Sequence, residues 1–403
     1  MINTIDLFSG CGGLTEGFKQ SQKYELIAAL DWELNPVKTL RHRLANKWNI
    51  KNSDEVVIHF DIQRTDDLIN GYCNDPIYGS SVGLKSLTKG KAVDVIIGGP
   101  PCQAYSIAGR ISDKNKMQDD YRNYLFESYL EIIKIFQPKA CVFENVIGML
   151  SAKPGGTPII DRISKAFKEA GYVISKDIIN QATFDLSEFS IPQKRKRVII
   201  AAFHESYYFN PHEKVAQFYK NLNDFKKVEP QTVKQAILDL PPIYPLDTPK
   251  TGRSHYSLNK TPTEFDHNPR NHNPRDIEIF KLLAKDIETQ QFKYITSESL
   301  RRLYTERTGY HSAVHKYYVL RKDEPSNTIP AHLSKDGLRH IHPDSKQARS
   351  ITIREAARLQ SFPDDFIFLG TNGGKYKMIG NAVPPLFAKF IAKSLAKVLT
   401  TKS

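Results

Sequence analysis

Cysteine is scarce in this 403-residue chain, with only Cys11, Cys73, Cys102 and Cys141. Their spacing follows neither a disulfide framework nor a CxxC metal pattern, which excludes a stapled mini-scaffold and predicts no metal site. Long apolar runs are missing as well. No stretch approaches the roughly 20 consecutive apolar residues that a bilayer span requires, so no membrane partner is expected. A hydrophobic fraction of 40% and a mean hydropathy of −0.44 suit an ordinary soluble chain. Residues 2–8 read as a strand entering a glycine loop rather than as a secretory leader, and a cytoplasmic location is expected. No repeat of solenoid length occurs.

Positive charge, by contrast, is plentiful. The formal net charge is +13 and the pI is near 9.3, which suits a polyanionic partner, because lysine and arginine contacts to phosphate release counterions. Many basic proteins never meet nucleic acid, so charge alone decides nothing. It is also not concentrated, since residues 245–330 carry 14 Lys and Arg against 11 Asp and Glu.

Short β-rich runs at 4–8, 26–30, 56–60, 93–97, 140–143 and 198–203 alternate with helical stretches such as 124–136 and 159–170. That alternation predicts an α/β doubly wound, mainly parallel sheet with helices on both faces. From about Val228 the composition turns to Pro, His, Asn, Tyr and charge, including a doubled His-Asn-Pro-Arg at 267–270 and 272–275. An amphipathic helix with Ile277, Phe280, Leu283, Ala284 and Ile287 on one face lies within it. The expected organisation is a catalytic and cofactor-binding domain at 1–228, a smaller mixed lobe at 229–375, and a return at 376–403 that completes the first domain.

The run Ile5-Asp6-Leu7-Phe8-Ser9-Gly10-Cys11-Gly12-Gly13-Leu14 reads as strand, glycine turn and helix start. Glycines permit the tight turn and a close backbone approach to a ligand. Asp31, twenty-one residues after Gly10, ends a second strand and is followed by Trp32. An acid at that distance grips ribose hydroxyls, and the indole can pack on adenine. The pattern is not GxGxxG, so an adenosyl ligand fits better than a dinucleotide. The plainer alternative is a structural turn.

Farther along, the buried-type run Val93-Asp94-Val95-Ile96-Ile97 empties into Gly98-Gly99-Pro100-Pro101-Cys102-Gln103. A cysteine at the carboxyl end of a parallel strand sits where open α/β sheets bind ligands, and a helix start behind it lowers a thiol pKa. Cys141, inside an apolar strand, suits an inert buried thiol instead. Glu144-Asn145-Val146 ends a further strand, where a carboxylate can hydrogen-bond a ring nitrogen as charge develops. Gln193, Arg195 and Arg197 alternate along an extended approach to the last strand and would face one pocket, although such a basic run is also the usual form of a solvated turn.

Taken together these segments resemble the motifs of the DNA (cytosine-5) methyltransferase family, in that family's linear order. The matching pieces are 6–13, 31–33, Asp61, 98–103, 120–125, 144–146, 193–197, 354–363 and 380–385. Only the variable middle is unmatched. The resemblance implies that Phe8, Gly10, Gly12, Gly13, Leu14, Asp31, Trp32, Asp61, Ile62, Gly98, Pro100, Leu125, Asn381, Ala382 and Val383 line a pocket for S-adenosyl-L-methionine, with S-adenosyl-L-homocysteine as product. It makes Cys102 the nucleophile, Glu144 the group holding the N3/N4 edge of cytosine, and Arg197 the group holding O2, with Gln193 and Arg195 in support. Gln103, Ser106 and Arg110 belong to the loop expected to close over DNA, and Arg270 and Arg275 are candidate DNA contacts in the middle lobe.

The expected enzyme is thus a DNA (cytosine-5-)-methyltransferase that acts as a monomer on a flipped cytosine in double-stranded DNA. It would be part of a restriction-modification system, with a cognate endonuclease encoded separately, or an orphan methylase. An amino methyltransferase would carry Asp/Asn-Pro-Pro-Tyr/Phe where this chain has Gly-Pro-Pro-Cys. A tRNA cytosine-5 methyltransferase shares the motifs and is the alternative, but it usually has a more compact recognition lobe. A non-catalytic DNA-binding protein has little need for the thiol, the acid and the arginine together.

Overall fold

A computed structural model describes residues 1–100, 125–153, 156–257, 265–335 and 337–401. The chain divides into two units. The first comprises Met1–Phe189, Arg195–Val228 and Ala382–Ser403, and the second Ser190–Lys194 and Glu229–Asn381.

In the first unit the strands are β1 (Ile2–Leu7), β2 (Tyr24–Asp31), β3 (Val57–His59), β4 (Tyr72–Asp75), β5 (Gly79–Ser81), β6 (Val95–Gly98), β7 (Ala140–Val146), β8 (Tyr172–Val173), β9 (Thr183–Asp185) and β10 (Lys196–His204). Among the described residues β3, β2, β1, β6, β7, β10 and β8 pair in that order, β9 also pairs with β10, and β4–β5 form a separate hairpin. The pairs from β3 to β7 are parallel, while β10 runs antiparallel to its neighbours. Ile5, Leu7, Val95, Ile96 and Ile97 are fully buried, as central parallel strands covered on both faces must be. The sheet is the α/β, mainly parallel arrangement that the alternating sequence predicts.

Glu144-Asn145-Val146 ends β7, as expected, and β10 pairs along the whole of that strand, Arg197 opposite Val146 and Ile199 opposite Glu144. One finding differs in detail. The C-terminal return begins at Ala382 rather than 376, because the helix Asn372–Asn381 belongs whole to the second unit. There Gly380 lies so close to Pro330 that an added Cβ would sit 2.4 Å from its carbonyl oxygen.

The return packs against the start of the chain. Helix Pro385–Thr400 lies on helix Gly13–Gln20, and Gly17 is required there, since a Cβ would fall 2.4 Å from that of Ala388. The Tyr24 hydroxyl donates to the Ala392 carbonyl at 2.8 Å. A second tie is a buried bracket in which Glu16 accepts from Arg43 at 2.9 and 2.8 Å and from the Trp48 indole at 3.0 Å, joining the first helix to Leu34–Trp48.

The second unit contains the hairpin of β11 (Ile243–Lys250) and β12 (Arg253–Ser257), and helices Pro274–Glu288, Ser297–Thr308, Ile353–Leu359 and Asn372–Asn381. The amphipathic face expected from 277 to 287 packs into a core of Ile279, Phe280, Leu283, Ala284, Leu300, Leu303, Tyr317, Val319, Ile341 and Ala348. The segment at 354–363 is an organising element. Thr352 and Glu355 form a capping box, Glu355 takes two 2.7 Å bonds from buried Arg349, and Arg354 donates to the Phe265, Pro363 and Phe366 carbonyls.

Candidate active site

The carboxyl ends of β1, β2, β3, β6 and β7 lie side by side, and the order of successive parallel strands reverses between β1 and β6, the position where open α/β sheets bind ligands. After β1 the chain turns sharply, with Phe8, Gly10 and Gly12 at positive φ of 61°, 55° and 94°. The turn is tied to the end of β2. The Ser9 amide donates to the Leu30 carbonyl at 2.8 Å, and the Asp31 carboxylate accepts from the Gly10 and Glu33 amides, each at 2.8 Å. Both carboxylate oxygens are thereby aimed, with lone pairs remaining for hydroxyl donors. Among the described residues nothing lies within 4 Å of the point where a Gly10 side chain would begin. Trp32 is 54% exposed, unusual for an indole without a ligand-facing role. Asp61 follows β3 and accepts from the Gln63 amide at 3.0 Å, Ile62 and Leu14 are buried, and Leu125 opens helix Leu125–Phe136. A glycine turn, an aimed carboxylate, an exposed indole and a second acid fit an adenosyl group.

Ala382 and Val383 adjoin the same loop, since a Cβ on Gly13 would meet the Val383 carbonyl oxygen at 2.3 Å. Asn381 ends its helix in the second unit.

At the neighbouring strand ends, Gly98 lies against the Leu7 carbonyl oxygen, where a Cβ would come within 2.4 Å. Gly99 lies against Glu144, whose Oε2 would be 2.9 Å from a Cβ. Glu144 Oε1 is 2.8 Å from Arg197 Nε, and the two side chains are only 12% and 14% exposed. Arg197 also donates to the Lys196 carbonyl at 2.8 Å. The Asn145 amide donates to the Pro100 carbonyl at 3.4 Å, which links the Glu-Asn-Val strand to the turn that leads to Cys102. Burial, joined by the Arg197 cation, pushes the pKa of Arg195 down, and its guanidinium donates to the Ala382 carbonyl at 3.4 Å. Cys102, Gln103, Ser106 and Arg110 lie outside the described residues.

Two of the expected site residues are engaged within the second unit, and the first is Gln193. There its amide donates to the Gln360 side chain at 2.5 Å and the Leu359 carbonyl at 3.2 Å and accepts from the Ile329 amide at 2.9 Å. The second is Arg270, whose guanidinium donates to the Leu333 and Ser334 carbonyls and stacks 5.9 Å from the Tyr376 ring. The doubled His-Asn-Pro-Arg is turn chemistry. Asn273 caps helix Pro274–Glu288 by accepting from the Asp276 amide, and His267 bonds Thr352 and the Pro241 carbonyl. Arg275, in the first turn of that helix, is 47% exposed and lies 3.6 Å from Asp276.

Sequence reasoning gave no separate role to Asp6. It is fully buried, accepts from the Thr15 hydroxyl at 2.5 Å, and burial raises its pKa to about 7. Its burial depends on the helix that follows the glycine turn, and no local pattern announces that.

The chain matches the family described as C-5 cytosine-specific DNA methylase over residues 2–397. It is 32% identical to the type II methyltransferase M.Bpa9945I of Bacillus paralicheniformis, with 98% of both chains covered. It is 29% identical to the type II methyltransferase M1.HphI of Haemophilus parahaemolyticus, covering 100% of this chain and 88% of that one. The fold is shared with the crystal structure of the S. pombe Dnmt2 methyltransferase, at a TM-score of 0.57 and 14% identity over 100% of each chain. The chain therefore belongs to the C-5 cytosine-specific DNA methylase family and is an enzyme of that class.

Proposed function

We propose that the protein methylates C5 of a cytosine flipped out of one specific duplex DNA sequence, with S-adenosylmethionine as donor and Cys102 as covalent nucleophile. The observation that carries this reading is the Glu144–Arg197 pair, held at 2.8 Å beside Gly99, just before the cysteine. C5 of cytosine is a weak nucleophile. Addition of the Cys102 thiolate to C6 turns the ring into an enamine, and the electrons displaced toward N3 and O2 need partners. Glu144 serves the N3/N4 edge and Arg197 serves O2, in a nearly buried site where such interactions count for more than in water.

Asp31, Trp32, Asp61 and the Gly10 turn would hold the donor, which supplies an electrophilic methyl on a sulfonium. Loss of the C5 proton and expulsion of Cys102 then restore aromaticity. A duplex base cannot reach a nucleophile at a strand end, so it must leave the stack, and Gln103, Ser106 and Arg110 are placed in sequence to close over it. The middle of the chain chooses the sequence through contacts to base edges. The relatives' designation as type II methyltransferases supports a place in restriction-modification, beside a separately encoded endonuclease, for a protein that acts as a monomer.

The test is covalent trapping. Wild-type protein incubated with donor and duplex DNA containing 5-fluorocytosine should form an adduct that survives denaturing electrophoresis, because fluorine cannot leave as a proton does. Cys102→Ser should form none while retaining donor binding. An adduct in the serine variant would remove Cys102 from the mechanism.

A further inference from the structure

The stretch 63–92, between Asp61 and β6, carries none of the family's motifs, yet it folds into a hairpin fixed against the cofactor end of the sheet. Strands β4 and β5 pair Tyr72 with Ser81 and Asp75 with Gly79. The turn is organised by Asp75, whose Oδ1 accepts from the Ile77 and Tyr78 amides at 2.9 Å and whose Oδ2 pairs with Arg64 at 2.6 Å. Arg64 lies over the Phe60 ring at 4.7 Å, and Phe60 stacks on Tyr72 with centroids 4.1 Å apart and planes at 16°. Arg64 and those two amides hold the Asp75 carboxyl down to about 2, so this turn keeps its charge-assisted bonds at any ordinary pH.

What the hairpin delivers is Tyr78. Its ring meets His59 edge-on at 5.0 Å and 70°, and Phe60 at 4.9 Å and 65°. His59 in turn bonds the Trp32 carbonyl at 3.0 Å. Tyr78 thus stands at the end of β3, against His59 and Phe60, and His59 ties it to the Trp32 carbonyl, with Asp61 next in the chain. Burial first, then the Asp61 carboxylate, raises the pKa of its phenol. A carboxylate beside an aromatic edge suits an amino-bearing purine rim, with the acid accepting from the exocyclic amine and the ring excluding water from it.

We propose that Tyr78, carried by the hairpin, walls the adenine edge of the cofactor pocket and sets how much room the exocyclic N6 amine has. This rests on the cofactor reading given above. Tyr78 is held through Asp75, Arg64, His59 and Phe60, side chains that the motif pattern does not include.

Calorimetry on the full chain would decide it, with S-adenosylhomocysteine and its N6-methyl derivative as probes and Tyr78→Ala and Tyr78→Phe as variants. Wild-type protein should bind S-adenosylhomocysteine and discriminate against the N6-methyl form. Tyr78→Ala should bind the parent ligand roughly tenfold more weakly, the scale of one lost aromatic contact, and its preference between the two ligands should narrow severalfold. Tyr78→Phe should keep the wild-type preference. A merely structural tyrosine would lower both affinities together, so an unchanged preference in Tyr78→Ala overturns the proposal, as does unchanged affinity. Wild-type protein that binds neither ligand would overturn the cofactor reading and this inference with it, an outcome distinguishable from the first two.

Discussion

Glu144 and Arg197 come from different stretches of sequence and meet because β7 and β10 are antiparallel neighbours whose register sets them diagonally on one face. The glutamate was recognisable from its place after an apolar run and the arginine from its place before one. Their 2.8 Å contact was not, because it depends on a strand pairing that neither segment announces. The same holds for Asp6, which reads as an ordinary strand residue until the helix after the glycine turn covers it. Its chemistry yields a pH dependence. The folded carboxyl keeps its proton up to about pH 7, whereas the unfolded one releases it near 3.8, so its contribution to stability is lost as pH rises across that window. Asp6→Asn has no such proton to lose. The melting temperature of Asp6→Asn relative to wild type should climb between pH 5 and pH 8, and a difference that stays flat would show that Asp6 is ionised throughout.

Among elements, strands lying in apolar runs were legible, and short strands outside such runs were not. The six strand runs expected from β-rich composition all appear within a few residues of their places, since buried parallel strands are apolar on both faces and stand out. The two-residue β8, the three-residue β5 and β9 and the four-residue β4 are too short for any periodicity to show. The hairpin that carries Tyr78 therefore went unread. In the middle lobe the repeated His-Asn-Pro-Arg supplies Arg270 and Arg275 as candidate DNA contacts, and in the structure Asn273 caps a helix while Arg270 bonds two backbone carbonyls. Arg270→Ala should consequently act on folding. Leaving those carbonyls without donors costs about 1–3 kcal/mol, which lowers the melting temperature by roughly 2–4 °C per kcal/mol in a unit of this size. The methylated sequence should stay the same. A stable variant with relaxed sequence choice would return Arg270 to the DNA interface.

For the whole molecule, the sequence disclosed a discontinuous architecture, because the family's motifs occupy both ends and leave the middle unmatched. The structure adds how the ends join. Helix Pro385–Thr400 lies on helix Gly13–Gln20 through Gly17, and Val383 presses on Gly13, so the C-terminal residues pack beside the glycine turn of the first unit. The excess of positive charge, +13 over the chain, is consistent with a DNA substrate but too evenly spread to point to a surface. The measurement that tests the account most directly is treatment of an unmethylated plasmid with the purified protein and S-adenosylmethionine, followed by bisulfite sequencing. The account predicts protected cytosines confined to one recurring duplex sequence, and none when Glu144→Gln replaces the wild type. Protection scattered without a shared sequence, or none on DNA alongside methylation of RNA, would contradict it.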